Sequence, residues 1–391
     1  MPILKQSASD AIRTFKHNSR RTNHLRDGDV KAEDRFMLAP VQSVSHRLRA
    51  GESIFTIGSC FARNVERHLD MMGFDVINRR IYDEAERLAI LPGIDNRYTP
   101  FSMLNEFRWA LDPDFRIDYE AALYKVDRGL CFDPHMHYAM RRFPVATALE
   151  RRDYLNECNR SITRCQTIIM TLGLAEAWWD SKLGLYLNWS PQMRWIEQEP
   201  HRFEFHLLGP EDVCEALESI YALLDTHGHP DFQILLTVSP IEMMATFRPM
   251  DASVANMHSK SILRAAAGAF VEKHQNVDYL PSFEIALLSD PWAVWAGDRV
   301  HIQDDAVDFI VRSVMAPYLA DEGDVQAVMA ADSLSERSHQ KLFRKQRQLE
   351  KRLERLEMEK AHLETSVSNL QRSNTNYLRQ ILELQQSGDS R

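Results

Sequence analysis

Five short apolar runs mark the middle of the chain, and each has the length and β-branched content of a buried strand. They occupy residues 53–58, 74–78, 167–173, 232–240 and 276–282. Segments with apolar residues at helical spacing follow most of them. These predicted helices cover residues 60–72, 211–228, 258–274 and 304–319. The alternation predicts a three-layer α/β/α domain over residues 51–320, with a mostly parallel five-stranded sheet. Residues 174–200 are predicted to form a polar, tryptophan-containing loop.

The C-terminal segment, residues 321–391, has a seven-residue period instead. Its d positions are Leu342, Leu349, Leu356, Leu363, Leu370, Tyr377 and Leu384. Apolar d residues sustained in this way predict a long coiled-coil helix, and a polar a residue such as Asn374 favours two parallel strands. We therefore expect a homodimer, or a helical protein partner, bound through residues 338–386. The alternative is a single charged helix in solvent.

Composition and charge argue against several classes of protein, including nucleic-acid-binding, membrane and disulfide-stabilised ones. The chain has 391 residues and a net charge of −9, so bulk charge does not favour nucleic acid as a partner. Residues 1–50 form a polar, locally basic N-terminal arm. No apolar run reaches the length of a membrane span, and the N-terminus lacks the apolar region of a secretory signal. The five cysteines show no CxxC spacing, so neither a disulfide framework nor a structural zinc site is indicated. These features predict a reduced, soluble, cytoplasmic protein with no metal and no bound cofactor.

The first predicted strand ends in a turn that carries candidate chemistry. Gly58, Ser59 and Cys60 lie between this strand and the helix that follows. At a helix N-terminus, backbone N–H groups and the helix dipole stabilise anions and lower the pKa of a thiol. An acyl-transfer site needs a nucleophile in this position. The alternative is a structural cysteine packed as a small apolar residue.

A second candidate is the sequence GDRVH at 297–301, just before the last predicted helix. Asp298 and His301 lie three residues apart, so both side chains can meet on a turn. A carboxylate beside an imidazole fixes its tautomer and stabilises its cation, as a general base requires. The alternative is a helix-capping aspartate with a surface histidine.

Weaker candidates lie between these two motifs. If His135 and His137 sat on a strand, their imidazoles would point the same way, but no third metal ligand follows at a diagnostic spacing. Ser259, Lys260 and Ser261 are placed near the start of a predicted helix, where they could contact phosphate or simply cap the helix. Four tryptophans could line a groove or pack the predicted loop onto the domain. They are Trp178, Trp179, Trp189 and Trp195.

Several strings resemble the GSCFA family, which is named after the motif that stands here as IGSCFA. The resemblance covers residues 50–318 in order. Its other strings are YTPFSM (98–103), TLGLAEAWWD (171–180), GLYLN (184–188), FEFHLLGPEDV (203–213), TVSPI (237–241), SKSILRAA (259–266) and DYLPSFE (278–284). This family is in turn similar to the SGNH/GDSL esterases and acetyltransferases, which implies a flavodoxin-like fold.

The resemblance also implies roles for individual residues. Gly58-Ser59-Cys60 falls on the Gly-Asp-Ser turn of those enzymes, with Cys60 at the nucleophile. Asp298 and His301 match their Asp-x-x-His pair. Gly173 falls near the third block, whose oxyanion-holding asparagine has no counterpart here. Glu176 stands where a polar group is expected, but an ionised carboxylate donates no hydrogen bond.

These inferences combine into one expected function. Cys60 attacks an acyl carbonyl, His301 shuttles the proton, Asp298 orients His301, and backbone at Cys60 and Gly173 holds the oxyanion. Ser59 is a further donor or the nucleophile itself. The expected enzyme is an acyl hydrolase or O-acyltransferase that acts on an acylated small molecule or a glycan, with acyl-CoA as a candidate co-substrate. The alternative is a non-catalytic SGNH-like binding or scaffold protein, made dimeric by its coiled coil.

Overall fold

A five-stranded, wholly parallel sheet forms the centre of the fold. The structure, a computed structural model, describes residues 2–17, 37–38, 40, 44–49, 51–126, 129–137 and 141–319. The predicted coiled coil and half of the predicted N-terminal arm lie outside these residues. The strands are β1 Ser53–Gly58, β2 Asp75–Val76, β3 Tyr124–Lys125, β4 Leu130–Phe132, β5 Phe143–Pro144, β6 Thr167–Leu172, β7 Glu176–Asp180, β8 Leu185–Leu187, β9 Phe203–Leu207, β10 Gln233–Val238 and β11 Val277–Leu280.

Helices cover both faces of this sheet. They are α1 Ala8–His17, α2 Cys60–Met71, α3 Pro100–Leu111, α4 Tyr119–Ala122, α5 Val145–Arg160, α6 Met193–Gln198, α7 Pro210–His227, α8 Ala252–Lys273, α9 Ser282–Leu288, α10 Pro291–Val294 and α11 Asp304–Met315. Short 3₁₀ helices cover Ile77–Glu84, Ser161–Arg164 and Ala316–Tyr318.

The order of the central strands is β2-β1-β6-β10-β11, with all neighbours parallel. Because side chains alternate along a strand, each strand contributes to two cores. On β1, Phe55 faces a core shared with α3, α7 and α8. Ile54, its neighbour, faces a second core shared with α2, α9 and α11. The predicted three-layer α/β fold with a parallel five-stranded sheet is therefore confirmed.

Three predicted elements differ in detail. The strand predicted at 74–78 shortens to β2, because the side chain of Asn78 takes over the β1 edge: its Oδ1 accepts a hydrogen bond from Thr56 N at 2.7 Å. The predicted loop at 174–200 is wrong. It holds β7, β8 and α6, and β9 follows it, so that the order β8-β7-β9 forms an antiparallel sheet. Helix α8 begins at Ala252 rather than 258, since Asp251 caps it by accepting from Ser253 N at 2.8 Å.

Candidate active site

The carboxyl ends of β1, β6 and β10 open onto one cavity of about 540 Å³. Ligand sites of α/β sheets are expected at this edge. Nine of the residues singled out from the sequence line it: Ser59, Cys60, His137, Gly173, Glu176, Trp178, Trp189, Lys260 and His301. The structure therefore brings the first and last predicted motifs together, although some 240 residues separate them along the chain.

The turn at Gly58 has room for no side chain. Gly58 has a φ of +156°, and a Cβ built there would lie 2.6 Å from both Cβ and O of Thr171 on the neighbouring strand. Ser59 then caps α2 in extended conformation without using its side chain. Its Oγ is buried and has no hydrogen-bond partner among the residues that the structure describes. The turn thus presents an unsatisfied hydroxyl beside the first residue of a helix.

Cys60 is that first residue, and its thiol lies against backbone donors. Burial raises the pKa of the Cys60 thiol above its ordinary value. Lys260 and the backbone N–H groups of Cys60 and Phe61 act in the opposite direction, because each stabilises the thiolate. The helix N-terminus alone therefore does not make this a low-pKa thiol, contrary to the lowering that the sequence predicted.

Gly173 closes the site from the end of β6. A Cβ at this position would lie 2.7 Å from Tyr98 O and 3.3 Å from Ser59 Cβ. The next residue, Leu174, donates its N–H to Tyr98 O at 2.7 Å. The segment after β6 and the segment that carries Tyr98 are thus in direct backbone contact beside the nucleophile turn.

Asp298 and His301 form the predicted pair. Nδ1 of His301 lies 2.7 Å from Asp298 Oδ2, and Asp298 Oδ1 accepts from the backbone N–H of both Val300 and His301 at 3.0 Å. These hydrogen bonds hold the pKa of Asp298 well below its ordinary value. The tight turn between them places Arg299 at a φ of +60°. The imidazole is therefore oriented by a carboxylate, with Nε2 left for other contacts.

This pair is more exposed than the nucleophile turn. The His301 and Asp298 side chains are 55% and 52% exposed. His301 lines the cavity, yet within the described part of the chain no hydrogen bond joins it to Cys60 or Ser59. A substrate can thus lie between the imidazole and the turn.

Glu176 is engaged in holding the wall of the cavity. Its Oε1 accepts from Thr246 Oγ1 at 2.6 Å and from Arg248 Nε at 2.8 Å, and its Oε2 accepts from Phe247 N at 3.2 Å. The carboxylate is buried and stands where the resemblance placed a polar group. The two carboxylate oxygens of Glu176 hold the segment 243–250 through these hydrogen bonds. An ionised carboxylate has no hydrogen to donate to an oxyanion.

The sequence missed two asparagines in the cavity wall. Asn188 is used structurally: its Oδ1 accepts from Tyr98 N at 3.1 Å, and its Nδ2 donates to Asn96 O at 2.9 Å. Asn96 also lines the cavity, and its buried Oδ1 has no hydrogen-bond partner among the residues described. An unpartnered amide oxygen accepts hydrogen bonds, so Asn96 is a candidate to bind a substrate hydroxyl rather than an oxyanion. Its place in a loop gave no sequence signal.

Lys260 is a third residue whose role the sequence did not show. It lies inside α8 rather than near its start, so it has no place at a helix N-terminus. Its side chain lines the cavity, and its Nζ donates to Gly173 O at 2.8 Å. The preceding residue, Ser259, accepts from Ala175 N at 2.8 Å. Helix α8 thus holds the backbone after β6 at two points.

The histidine and tryptophan candidates separate into lining and packing residues. His135 and His137 lie in a turn after β4 rather than on a strand. His135 is buried against Trp109, whereas His137 lines the cavity and contacts the Tyr98 hydroxyl at 2.6 Å. Within the residues described, no three acidic, cysteine or histidine side chains group in a way that could hold a metal ion.

Two of the four tryptophans, Trp178 and Trp189, line the cavity. The other two pack elsewhere: Trp179 on Tyr186, and Trp195 stacked on Tyr124. Apolar side chains complete the wall, and two of them at the rim, Met244 and Phe247, are 79% and 59% exposed. The cavity therefore combines a polar floor with an apolar wall and rim.

In the part of the chain that the structure describes, no helix is both long enough and apolar enough to cross a bilayer. No curated protein matches the chain. The sequence model of the GSCFA family matches residues 53–313, which span every central strand and every residue of the site described above. The chain therefore belongs to the GSCFA family, as its motifs indicated.

Proposed function

We propose that the protein is an acyl hydrolase or O-acyltransferase with Cys60 as nucleophile. The observation that carries the proposal is the meeting of three features in one cavity. Cys60 lies at a helix N-terminus, the buried Ser59 Oγ has no partner within the described part of the chain, and His301 is held by Asp298. Nucleophile, oxyanion donors and an oriented imidazole are the parts that acyl transfer requires.

The proposed reaction has two steps. The Cys60 thiolate forms a bond to the acyl carbonyl carbon, the bond to the leaving oxygen or sulfur breaks, and the imidazolium of His301 protonates the leaving group. In the second step neutral His301 takes the proton of water or of an acceptor hydroxyl, whose oxygen attacks the thioester and releases Cys60. Ser59 Oγ and the backbone N–H groups at the start of α2 are the candidate donors to the oxyanion.

The shape of the cavity supports an acyl group attached to a hydroxylated compound. Apolar lining residues such as Leu174 and Met244 can pack against the acyl chain. Trp178 and Trp189 offer aromatic faces on which a sugar ring can stack. A glycan or a related polyol is thus the proposed acceptor, with acyl-CoA or an ester as the proposed acyl donor.

Single substitutions test this function. Purified wild-type protein and the variants Cys60→Ala, Ser59→Ala and His301→Ala would be assayed with p-nitrophenyl esters and with acetyl-CoA plus oligosaccharides. We expect Cys60→Ala and His301→Ala each to lower turnover by at least about 100-fold. Cys214→Ala, a half-buried cysteine on α7, is the matched control. Loss of activity in Ser59→Ala with retention in Cys60→Ala would assign the nucleophile to Ser59.

One observation favours a second function, that of a non-catalytic binding protein. His301 and Asp298 are about half exposed and make no hydrogen bond to the described nucleophile turn. In a binding protein the same cavity would hold a glycan without bond cleavage, and the predicted dimer would add valency. Calorimetric binding of an oligosaccharide by wild-type protein that turns over no ester or acyl-CoA would favour this function over catalysis.

A further inference from the structure

Lys260 is a buried lysine whose amino group has no counter-ion among the residues that the structure describes. Its side chain is only 1% exposed. Among the described residues, no carboxylate lies within ion-pair distance of its Nζ, and the hydrogen bond to Gly173 O uses one of the three donors of an ammonium group. A charge in this position is costly, because burial removes its hydration and no partner replaces it. The structure therefore favours the neutral amine.

The groups that face Lys260 across the cavity come from several elements. Cys60 opens α2, and Glu242 follows β10. Burial lowers the pKa of Lys260 from 10.5 to about 7, with Cys60 and Glu242 acting in the opposite direction. Burial likewise raises the pKa of Glu242, and Lys260 opposes that rise. The other titratable groups that line the cavity are Tyr98, His137, Glu176 and His301.

Lys260 also lies close to the nucleophile turn. Gly173 connects them: its carbonyl oxygen accepts from Nζ at 2.8 Å, and a Cβ on its α-carbon would lie 3.3 Å from Ser59 Cβ. Gly173, Ser59, Cys60 and Lys260 all line the same cavity. His301, by contrast, uses Nδ1 on Asp298 and makes no hydrogen bond to the turn among the residues described.

We propose that Lys260 is the base that takes the proton from the Cys60 thiol. The inference rests on the proposed nucleophilic role of Cys60 and adds the group that activates it. The S–H bond breaks as a new N–H bond forms, so a thiol and an amine become a thiolate and an ammonium ion. When the thioester is later cleaved, the ammonium returns the same proton to the sulfur.

This assignment divides proton transfer between two residues. Lys260, on the buried side of the cavity, exchanges a proton with the sulfur of Cys60. His301, on the exposed side, donates a proton to the leaving group and then accepts one from water or the acceptor hydroxyl. A base works best when its pKa lies near the working pH, and a desolvated lysine meets that condition. It also explains how a thiol whose own pKa is raised can react at neutral pH.

Alkylation of Cys60 by iodoacetamide tests the inference without any acyl substrate. The rate would be measured by peptide mass spectrometry from pH 5 to 10 in wild-type protein, Lys260→Met and His301→Ala. We expect the wild-type rate to rise through an inflection near the Lys260 pKa of about 7. Lys260→Met should lose this inflection and react about tenfold more slowly at pH 8, because the thiol then ionises only at its own raised pKa. His301→Ala should keep the inflection.

Two controls keep the result interpretable. Lys273→Met removes an exposed lysine from the same helix and should leave the profile unchanged. Lys260→Arg keeps a cation but cannot accept a proton in this range, so it should also lose the inflection, even if Lys260→Met fails to fold.

Three results would overturn the inference: a wild-type profile without an inflection below about pH 8.5, an inflection that survives in both Lys260 variants, or one that disappears in His301→Ala. A protein that hydrolyses no ester but shows the Lys260-dependent profile would reject the proposed enzymatic function and retain the role of Lys260. Turnover that depends on Cys60 but not on Lys260 would do the reverse.

Discussion

Gly173 shows how tightly single residues of the site are packed. Because a Cβ there would lie 2.7 Å from Tyr98 O, a backbone atom, Gly173→Ala forces the two segments apart. We expect a loss of about 1–3 kcal/mol in the free energy of unfolding, typical of overpacking. Urea unfolding followed by circular dichroism would measure it. The matched control is Gly297→Ala, where a Cβ would have no atom within 4 Å. Equal stability of the two variants would show that the segments separate without cost.

The free energy of unfolding should also depend on pH through the lowered pKa of Lys260. Its pKa is about 7 in the folded protein, whereas the ordinary lysine pKa of 10.5 applies in the unfolded chain. Between these values the unfolded chain binds one more proton, so the free energy of unfolding rises with pH. A basic group with a lowered pKa thus destabilises the fold below pH 7, and this penalty fades as pH increases.

Urea titrations at pH 7.0 and 8.0 would measure this linkage. Over that interval one differential proton changes stability by about 1 kcal/mol. Wild-type protein should gain this amount relative to Lys260→Met, in which the titrating group is absent. Cys60 is present in both proteins, so the ionisation of its thiol in the unfolded chain largely cancels in this comparison. If both proteins change equally, Lys260 is charged in the folded state.

Site residues could be identified from the sequence where their role follows from local geometry. The strand-to-helix turn at Ser59 and Cys60 and the short Asp298-His301 spacing were both predicted, and both line or adjoin the cavity. Asn96 was not predicted, and Lys260 was predicted only as a candidate phosphate contact, because their importance comes from burial and from the partners that they lack among the described residues. Neither property is visible until distant segments have packed together.

At the scale of elements, one ion pair holds the segment 243–250 over the cavity. Arg248 and Glu176 are both largely buried, and Arg248 also donates to Ala255 O at 2.8 Å. Arg248→Met leaves the Glu176 carboxylate buried without its cation. We expect a loss of about 3 kcal/mol in the free energy of unfolding and faster proteolysis within 243–250.

A matched exposed pair gives the control for this prediction. Lys182 and Glu199 lie 3.2 Å apart, with side chains 61% and 43% exposed. Lys182→Met should change stability by less than about 1 kcal/mol, as is usual for surface pairs. Thermal unfolding and limited trypsin digestion of both variants would compare them. Similar behaviour of the two would mean that the segment is held by its apolar contacts instead.

Elements were predicted well where their pattern is long and continuous. Strands β1, β6 and β10 and helix α7 match their predicted patterns closely, because the strands are buried along most of their length and α7 buries one regular apolar face. The antiparallel sheet β8-β7-β9 was missed, since its strands are short and carry polar residues among the aromatic ones. Pairing between segments, rather than local pattern, makes these residues strands.

At the scale of the whole molecule, dimerisation remains a prediction from the heptads of residues 321–391. The residues that carry it lie outside those described. Changing Leu349 and Leu356 together to Glu places charges at two adjacent d positions, which a two-stranded coil cannot bury. We expect the full-length wild type to sediment as a dimer and this double variant as a monomer.

Analytical ultracentrifugation over a range of concentrations would measure the change. The control is a double substitution, to Glu, of Gln348 and Lys351, which take the outward-facing c and f positions of the same heptad. It adds similar charge without entering the d positions and should remain dimeric. A wild-type chain that sediments as a monomer at all concentrations would contradict the coiled-coil interpretation.

The wide separation of the cavity's residues along the chain affects the order in which parts of the protein fold. Ser59, Asn96, Gly173, Lys260 and His301 come from five stretches of sequence, and parallel strands pair only through long crossovers. Closing such loops is slow, so local helices form well before these contacts do. During refolding, the chain should therefore recover its helical signal first and its reactive centre last. Newly synthesised protein would carry no working site until His301, and α11 that follows it, had left the ribosome.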